Sequence, residues 1–343
     1  MRYSALTHDY SHDNQDGKNI LQEAVRFITD HAVFYILGHM EPDGDCIGSQ
    51  LVMASILTRM GKKAVPLQNG PFDRPECENY AGEFVAEIPG LNNSIEAKDN
   101  NGYAVIVVDC STPDRVEKSY HKLFSLPVLV IDHHASGDPF GSVRLADPVA
   151  ASTTILVYRL AREMGITLAS KEAELVFFGL ATDTGYFRHC EENSSEVFET
   201  AADLVRQGVS PRNIYQAMYG NREFGNRRFL GLLLSRAESH FDGKLIYTYQ
   251  TLADAPLAAG STRSSDEMYG LFQSIRGVQA IAFVREESPG VCSVGLRSKE
   301  TMDVGALARA NGGGGHKLAA GFNANAEMEE VRRLLLETFA PLF

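Results

Sequence analysis

The chain has 343 residues, a formal net charge of −12 and 44% hydrophobic content, and that length exceeds what one typical core serves, which predicts two domains. The negative balance excludes a generally basic, nucleic-acid-coating surface, although a few arginines and bound cations can still reverse the field within a cleft. Five cysteines, Cys46, Cys77, Cys110, Cys190 and Cys292, are scattered without a CxxC pair and read as reduced thiols rather than a disulfide framework.

The N-terminus, MRYSALTHDYSHDNQDGKN, lacks the apolar core of a signal peptide, and no apolar run approaches the roughly 18 residues of a membrane span. The expectation is a cytoplasmic protein with a polar arm before Asn19. Ile20–Ile28 has apolar residues at helical spacing, and a strand follows at Ala32–Leu37. After the loop GHMEPDGDCIGS, Gln50–Met60 reads as a helix ended by Gly61, and Ala64–Leu67 as a short strand. Pro, Asn and Gly between Asn69 and Asn101 mark loops around a small helix near Ala81–Ala86. Ala104–Val108 and Leu126–Ile131 are apolar, β-branched runs that end at Asp109 and at Asp132. Strands alternating with helices predict an α/β fold, a parallel sheet with flanking helices. Ala150–Met164, Lys171–Ala181, Glu196–Gln207 and Pro211–Tyr219 read as helices, and Asn226–Ser239 as an amphipathic connector. Beyond it, Lys244–Tyr249, Ala280–Val284 and Cys292–Leu296 read as strands around a helix at Ser265–Ile275. Gly312–Gly315 and His316 precede a helix-prone Lys317–Ala320 and a terminal helix at Glu327–Phe339.

Three strand-like runs finish in metal-type side chains: His39, Asp43 and Asp45 as H-x3-D-x-D, then Asp109, then Asp132-His133-His134. In open α/β sheets the ligand crevice lies outside the carboxyl ends of the strands, so ends far apart in sequence can converge there. Asp183, in T-D-T-G where a helix terminates, adds a fourth acid. Carboxylates mixed with imidazole favour Mn, Fe or Zn over a purely oxygen-loving cation, and the lack of thiolate pairs argues against structural zinc. Taken singly, H-x3-D-x-D is also the pattern of a capped helix start with Asp45 as N-cap, and Asp109 that of a turn acid. Adjacent histidines on an extended strand point opposite ways, so His133 and His134 face one site only if the strand has ended. The glycine run allows backbone N–H groups to approach an anion, with His316 as an added donor; the alternative is a flexible turn. Arg297, and with it Arg263 and Arg285, offers a guanidinium grip on phosphate. An exposed surface position is the alternative, above all for Arg263.

In combination these motifs resemble the DHH phosphoesterase superfamily and, within it, the members that pair a DHH domain with a DHHA1 domain, the nanoRNase and pAp-phosphatase group. The resemblance rests on GHMEPDGDCIGS (Gly38–Ser49), VVDC (Val107–Cys110), VIDHH (Val130–His134), GLATDTGYFR (Gly179–Arg188) and GGGGHKLAAGF (Gly312–Phe322), and spans nearly the whole chain. It implies a DHH catalytic domain over 1–208, a helical linker over 209–240 and a smaller α/β DHHA1 substrate-binding domain over 241–343, with the active site in the interdomain cleft. It also implies two divalent metal ions, usually manganese. One would be held by His39, Asp43 and Asp109, the other by Asp45, Asp109, His133 and Asp183, so that Asp109 bridges and four carboxylates balance two dications. Asp132 would orient an imidazole and His134 would face the substrate or leaving group, completing with Asp109 the catalytic set. Arg297, Gly313, Gly314, Gly315 and His316, with Arg263 and Arg285, would bind substrate.

The implied activity is hydrolysis of short RNA oligonucleotides, including dinucleotides, and of 3′-phosphoadenosine 5′-phosphate by water that two metals activate. Partners would be short RNA or nucleotide phosphates and no membrane; a homodimer is compatible with the reading. Rival readings are a cyclic-dinucleotide phosphodiesterase on the same metals, a pyrophosphatase or exopolyphosphatase, whose second domains lack the GGGGH pattern, and a silent nucleic-acid-binding protein, whose mark would be loss of a ligand acid.

Overall fold

The apolar runs are strands buried on both faces, which is why they read as continuous rather than alternating hydrophobic segments. The computed structural model describes residues 15–87, 102–135, 137, 140–220, 222–258, 264–299 and 302–343. The chain divides into two compact units, Met1–Gly220 and Asn221–Phe343.

In the first unit, β1 (Val33–Leu37), β2 (Lys63–Leu67), β3 (Tyr103–Val108), β4 (Val128–Asp132) and β5 (Val143–Ala146) form an all-parallel sheet in the order β2-β1-β3-β4-β5. The helices are α1 (Gln15–Asp30), α2 (Gly44–Arg59), α3 (Thr153–Glu163), α4 (Ser170–Asp183), α5 (Ser195–Arg206) and α6 (Pro211–Tyr219). Side chains alternate across the sheet. Phe34, Ile36, Ile106, Leu129 and Ile131 pack with Phe27, Ile47, Leu156 and Phe177 of α1 to α4. On the opposite face Tyr35, Leu37, Val105, Val107 and Val130 pack with Val116, Tyr120 and Leu123. Strand β1 sends its connection toward β2 and β3 sends its own toward β4, in opposite directions. A crevice opens outside the carboxyl ends of such a pair.

Helix α2 begins at Gly44, earlier than the Gln50 that periodicity suggested, because Asp43 caps it: its Oδ1 accepts the N–H groups of Asp45 and Cys46, each at 3.1 Å. The N-cap is therefore Asp43 and not Asp45, which sits inside the first turn. Helices α2 and α4 cross at glycines: a Cβ on Gly48 would stand 2.7 Å from the Leu175 carbonyl oxygen, and one on Gly179 would stand 2.4 Å from Thr154 Cγ2 and 2.9 Å from Asp45 Oδ1. Only missing side chains permit that approach.

In the second unit, β6 (Glu238–His240), β7 (Leu245–Gln250), β8 (Ala280–Ser288), β9 (Val291–Ser298), β10 (Gly314–His316) and β11 (Ala319–Ala324) form a mixed sheet ordered β10-β11-β9-β8-β7-β6. One face packs Leu245, Ala282 and Leu296 with α9 (Val304–Ala310) and α10 (Met328–Phe339), and the other packs Ile246, Ile281 and Phe283 with α7 (Phe224–Ser235) and α8 (Ser264–Gln273). Two sequence expectations are corrected. Helix α7 stops at Ser235, since β6 takes over by pairing with β7. The segment at Lys317–Ala320 is not helical: Ala319 and Ala320 open β11, paired with Arg297 and Leu296 of β9, and sheet pairing overrides their helix propensity.

Candidate metal centre

His39 follows β1, Asp43 caps α2, Asp45 lies in its first turn, Asp109 follows β3, Asp132 ends β4, and Asp183 is the last residue of α4. The sheet order and the α2–α4 crossing bring these ends together at the crevice beyond β1 and β3. His39 Nε2 stands 3.4 Å from Asp109 Oδ2 and 3.9 Å from Asp43 Oδ1. His133 Nε2 stands 3.1 Å from Asp183 Oδ2 and 3.6 Å from Asp109 Oδ1. One oxygen of Asp45, the Asp183 carboxylate and His133 can all place ligand atoms within 4.8 Å of one another. Asp109 thus meets both imidazoles, one on each carboxylate oxygen. It adopts φ 55°, a left-handed conformation that aspartate tolerates better than most residues.

The imidazoles are aimed. His39 Nδ1 lies 2.7 Å from the Met40 carbonyl oxygen and His133 Nδ1 lies 3.2 Å from that of Ala150. A carbonyl only accepts, so in each ring Nδ1–H donates outward and Nε2 is the nitrogen that faces the acids, as a metal-binding histidine requires. His134 is turned differently: its Nδ1 lies 2.7 Å from Asp132 Oδ1, which fixes the ring. Asp132 is 1% exposed and its Oδ2 has no hydrogen-bond partner. The two histidines face one neighbourhood because β4 ends at Asp132, as the sequence argument required.

Asp45 is fully buried, and it is also a helix cap: Oδ2 accepts the N–H of Thr153 at 2.6 Å and Oδ1 that of Thr154 at 2.9 Å, at the start of α3. Thr153 Oγ1 donates to Asp109 Oδ1 at 3.1 Å. Sequence reasoning did not find this tie, nor Arg74, whose Nη1 stands 3.5 Å from Asp43 Oδ2; both are contacts across sequence distance that no local pattern signals.

Packing acids together moves their protonation. Burial, reinforced by the Asp183 and Asp109 charges, pushes the Asp45 carboxyl well above the carboxylate range. Burial also raises Asp183 to about 6, overcoming the opposing His133 hydrogen bond with smaller help from the Asp109 and Asp43 charges. For His133, burial favours the neutral ring, but the hydrogen bond it donates to Asp183 and the Asp45 charge outweigh it and raise its pKa to about 10. Burial likewise opposes protonation of His39, and the Cys46 thiol with Asp109 and Asp43 prevails, holding the ring above the ordinary imidazole range. The His134 pKa is raised chiefly by its hydrogen bond to Asp132. Buried acids that resist ionisation together, and imidazoles that take up protons in response, are a donor set suited to divalent cations, which would neutralise the one and replace the protons on the other.

Of the residues expected to bind substrate, Arg285, Arg297 and Gly313 line one pocket of about 470 Å³ in the second unit, with Tyr269, Phe283, Ser293 and Asn323. The Arg297 guanidinium lies 4.5 Å from the Tyr269 ring centroid and its Nη1 donates to the Leu296 carbonyl at 3.0 Å. Arg285 pairs with Glu287 at 2.7 Å. Gly314, Gly315 and His316 form the exposed strand β10, beside the pocket lining rather than in it. Arg263 lies outside the described residues.

Comparison with known proteins gives matches to two family models, "DHH family, N-terminal domain" over residues 33–180 and "DHHA1 domain" over residues 247–340. The bifunctional oligoribonuclease and PAP phosphatase NrnA of Thermus thermophilus is 32% identical over 290 residues, covering 84% of this chain and 82% of the relative. Its namesake in Bacillus subtilis is 26% identical, covering 92% and 96%. Among solved structures, an exopolyphosphatase-related protein from Bacteroides fragilis superposes with a TM-score of 0.77 at 23% identity, covering 95% of this chain and 97% of that one. That last likeness speaks for the fold alone.

Proposed function

We propose that this chain, which belongs to the DHH family of phosphoesterases and carries a DHHA1 domain, hydrolyses short RNA oligonucleotides, dinucleotides among them, and 3′-phosphoadenosine 5′-phosphate. The observation that carries the reading is Asp109, one carboxylate reached by His39 on one oxygen and by His133 on the other. That arrangement supports a bridging role for Asp109. His39, Asp43 and Asp109 would hold one divalent ion, and Asp45, Asp109, His133 and Asp183 a second. The mixed carboxylate and imidazole donors suit manganese, iron or zinc, and the DHH resemblance selects manganese among them. Such a pair of ions supplies charge neutralisation on the attacking and leaving oxygens of an in-line phosphoryl displacement.

The chain's own side chains do the rest. His39 and His133 keep Nε2 inward by donating their Nδ1–H groups to backbone carbonyls. His134, held by Asp132, presents its Nε2 toward the leaving group, where its raised pKa keeps a proton available. Arg297, over Tyr269 and beside the Gly312–Gly313 backbone, grips a second phosphate or nucleotide. A grip made of a guanidinium beside an aromatic ring suits a nucleotide, which favours RNA oligomers and pAp over pyrophosphate. The similarity to oligoribonuclease and PAP phosphatase relatives over most of the chain supports the same choice.

The test is a manganese-supplemented assay on linear ribodinucleotides, cyclic dinucleotides, pAp and pyrophosphate. Turnover is expected on the first and third. Turnover confined to cyclic dinucleotides or to pyrophosphate would overturn the substrate assignment, and none on any would overturn the hydrolase.

A further inference from the structure

The chain leaves Asp183 by an unusual path. Gly185, Tyr186 and Phe187 follow one another at φ 56°, 57° and 68°, three consecutive residues in the left-handed region. Glycine enters that region freely, but an aromatic residue does so only at a steric cost, and two in a row persist only if the surroundings hold them. They are held. Tyr186 N–H donates to the Ala181 carbonyl at 2.6 Å and Phe187 N–H to Thr184 Oγ1 at 3.1 Å, while the Tyr186 hydroxyl donates to the Pro211 carbonyl at 2.5 Å, at the first residue of α6. Strain of this kind gathers at functional sites, and here it begins two residues after a candidate metal ligand.

What the turn achieves is the placement of Tyr186 against α6. Along that helix Ile214 and Met218 are buried, and one position further on Tyr215 and Tyr219 share a face at i, i+4. Tyr215 is 51% exposed and Tyr219 37%. The Tyr186 ring stands edge-on to Tyr215 at 5.1 Å between centroids, and Tyr215 lies 5.0 Å from Tyr219. Arg188, next along from Phe187, is exposed. Two solvent-facing phenol rings on α6, backed by a third from the turn that follows Asp183 and with the exposed Arg188 on that same turn segment, make up the chemistry by which proteins hold unpaired bases: aromatic π-faces and a nearby cation.

We propose that Tyr215 and Tyr219, braced by Tyr186, form a stacking surface for one nucleobase of the substrate, so that this unit selects nucleotides over phosphoesters without a base. The proposal rests on the nucleotide phosphoesterase reading above. It also gives the left-handed turn a purpose, since an ordinary helix end would not bring Tyr186 against α6.

The experiment compares wild-type protein, Tyr215→Ala, Tyr219→Ala and Tyr215→Phe, with manganese, on a ribodinucleotide and on two counterparts lacking one or the other base. Wild-type protein should show a KM about 5- to 100-fold higher for one of the abasic substrates, the range that base–aromatic stacking provides. In Tyr215→Ala and Tyr219→Ala that discrimination should shrink toward one through a higher KM on the intact dinucleotide, with kcat moving less; Tyr215→Phe, which keeps the ring, should retain it. Thermal melting separates this from misfolding, and both side chains are exposed enough to be removed without opening the core. If wild-type protein cleaves the dinucleotide and the alanine variants discriminate as it does, the stacking surface is wrong and the phosphoesterase stands. If wild-type protein cleaves no dinucleotide, the substrate reading falls and takes the stacking surface with it.

Discussion

His133 Nε2 stands 3.1 Å from Asp183 Oδ2, an imidazole from the end of β4 against a carboxylate from the end of α4. In protein freed of metal by a chelator, a proton is shared at this contact. With the His133 pKa near 10 and that of Asp183 near 6, both lie above their usual values of about 6.5 and 3.9. A raised pKa stabilises the fold below the unfolded value, and that contribution is lost as pH climbs through the folded value. Chelated protein should therefore lose stability first between about pH 4 and 6 and again between about pH 6.5 and 10. A cation must displace the His133 proton, so its binding strengthens as pH rises. The increase in melting temperature on adding manganese is expected to grow from pH 6 to pH 8.5; an increment independent of pH would remove the coupling.

Asp109 is best probed by asparagine. Alanine would suffer in the left-handed conformation at φ 55°, whereas asparagine tolerates it and still accepts from Thr153 Oγ1. Asp109→Asn should lower manganese-dependent turnover by about 1,000-fold or more, with a melting temperature close to wild type. Normal turnover at normal metal content would exclude a bridging role.

Removing Asp132 leaves His134 without its fixed partner. For Asp132→Ala we expect kcat to fall about 10- to 100-fold while metal content, measured by elemental analysis, stays intact. Loss of metal instead would place Asp132 among the ligands.

The α2–α4 crossing predicts a stability effect remote from any substrate contact. A Cβ on Gly48 would press to 2.7 Å on the Leu175 backbone oxygen, so Gly48→Ala should destabilise by about 1–3 kcal/mol in chemical denaturation. Because α2 carries Asp45 and α4 carries Asp183, manganese affinity should weaken too. A neutral substitution would show that the helices can part without consequence.

In the second unit, Arg297→Ala removes the guanidinium from the pocket it lines with Arg285 and Gly313. KM for a dinucleotide should rise about 10- to 150-fold, a charge-assisted pair's worth, with metal occupancy unchanged. Unaltered KM would free the pocket from the substrate.

Much of this was legible because strands buried on both faces announce themselves: Ala104–Val108 running into Asp109, and Leu126–Ile131 into Asp132, needed no partner to be seen. The edge strand Val143–Ala146 was not, since four residues, mostly half-buried, are too few to carry a periodicity, and neither was the two-turn helix Val304–Ala310. Lys317–Ala320 misled for a physical reason, as helix-prone residues were claimed by pairing with β9. The acids and imidazoles of the centre could be named from strand ends. Their second partners, Met40 and Ala150 behind the imidazoles and α3 behind Asp45, depend on tertiary approach and had no local trace.

Asp45 serves two masters with one carboxylate: it closes the first turn of α3 through Thr153 and Thr154, and it belongs to the candidate cation-binding cluster. Filling or emptying the centre thus cannot be silent along the backbone. Adding manganese to protein that never meets a substrate is therefore expected to change the hydrogen exchange or NMR shifts of the opening amides of α3.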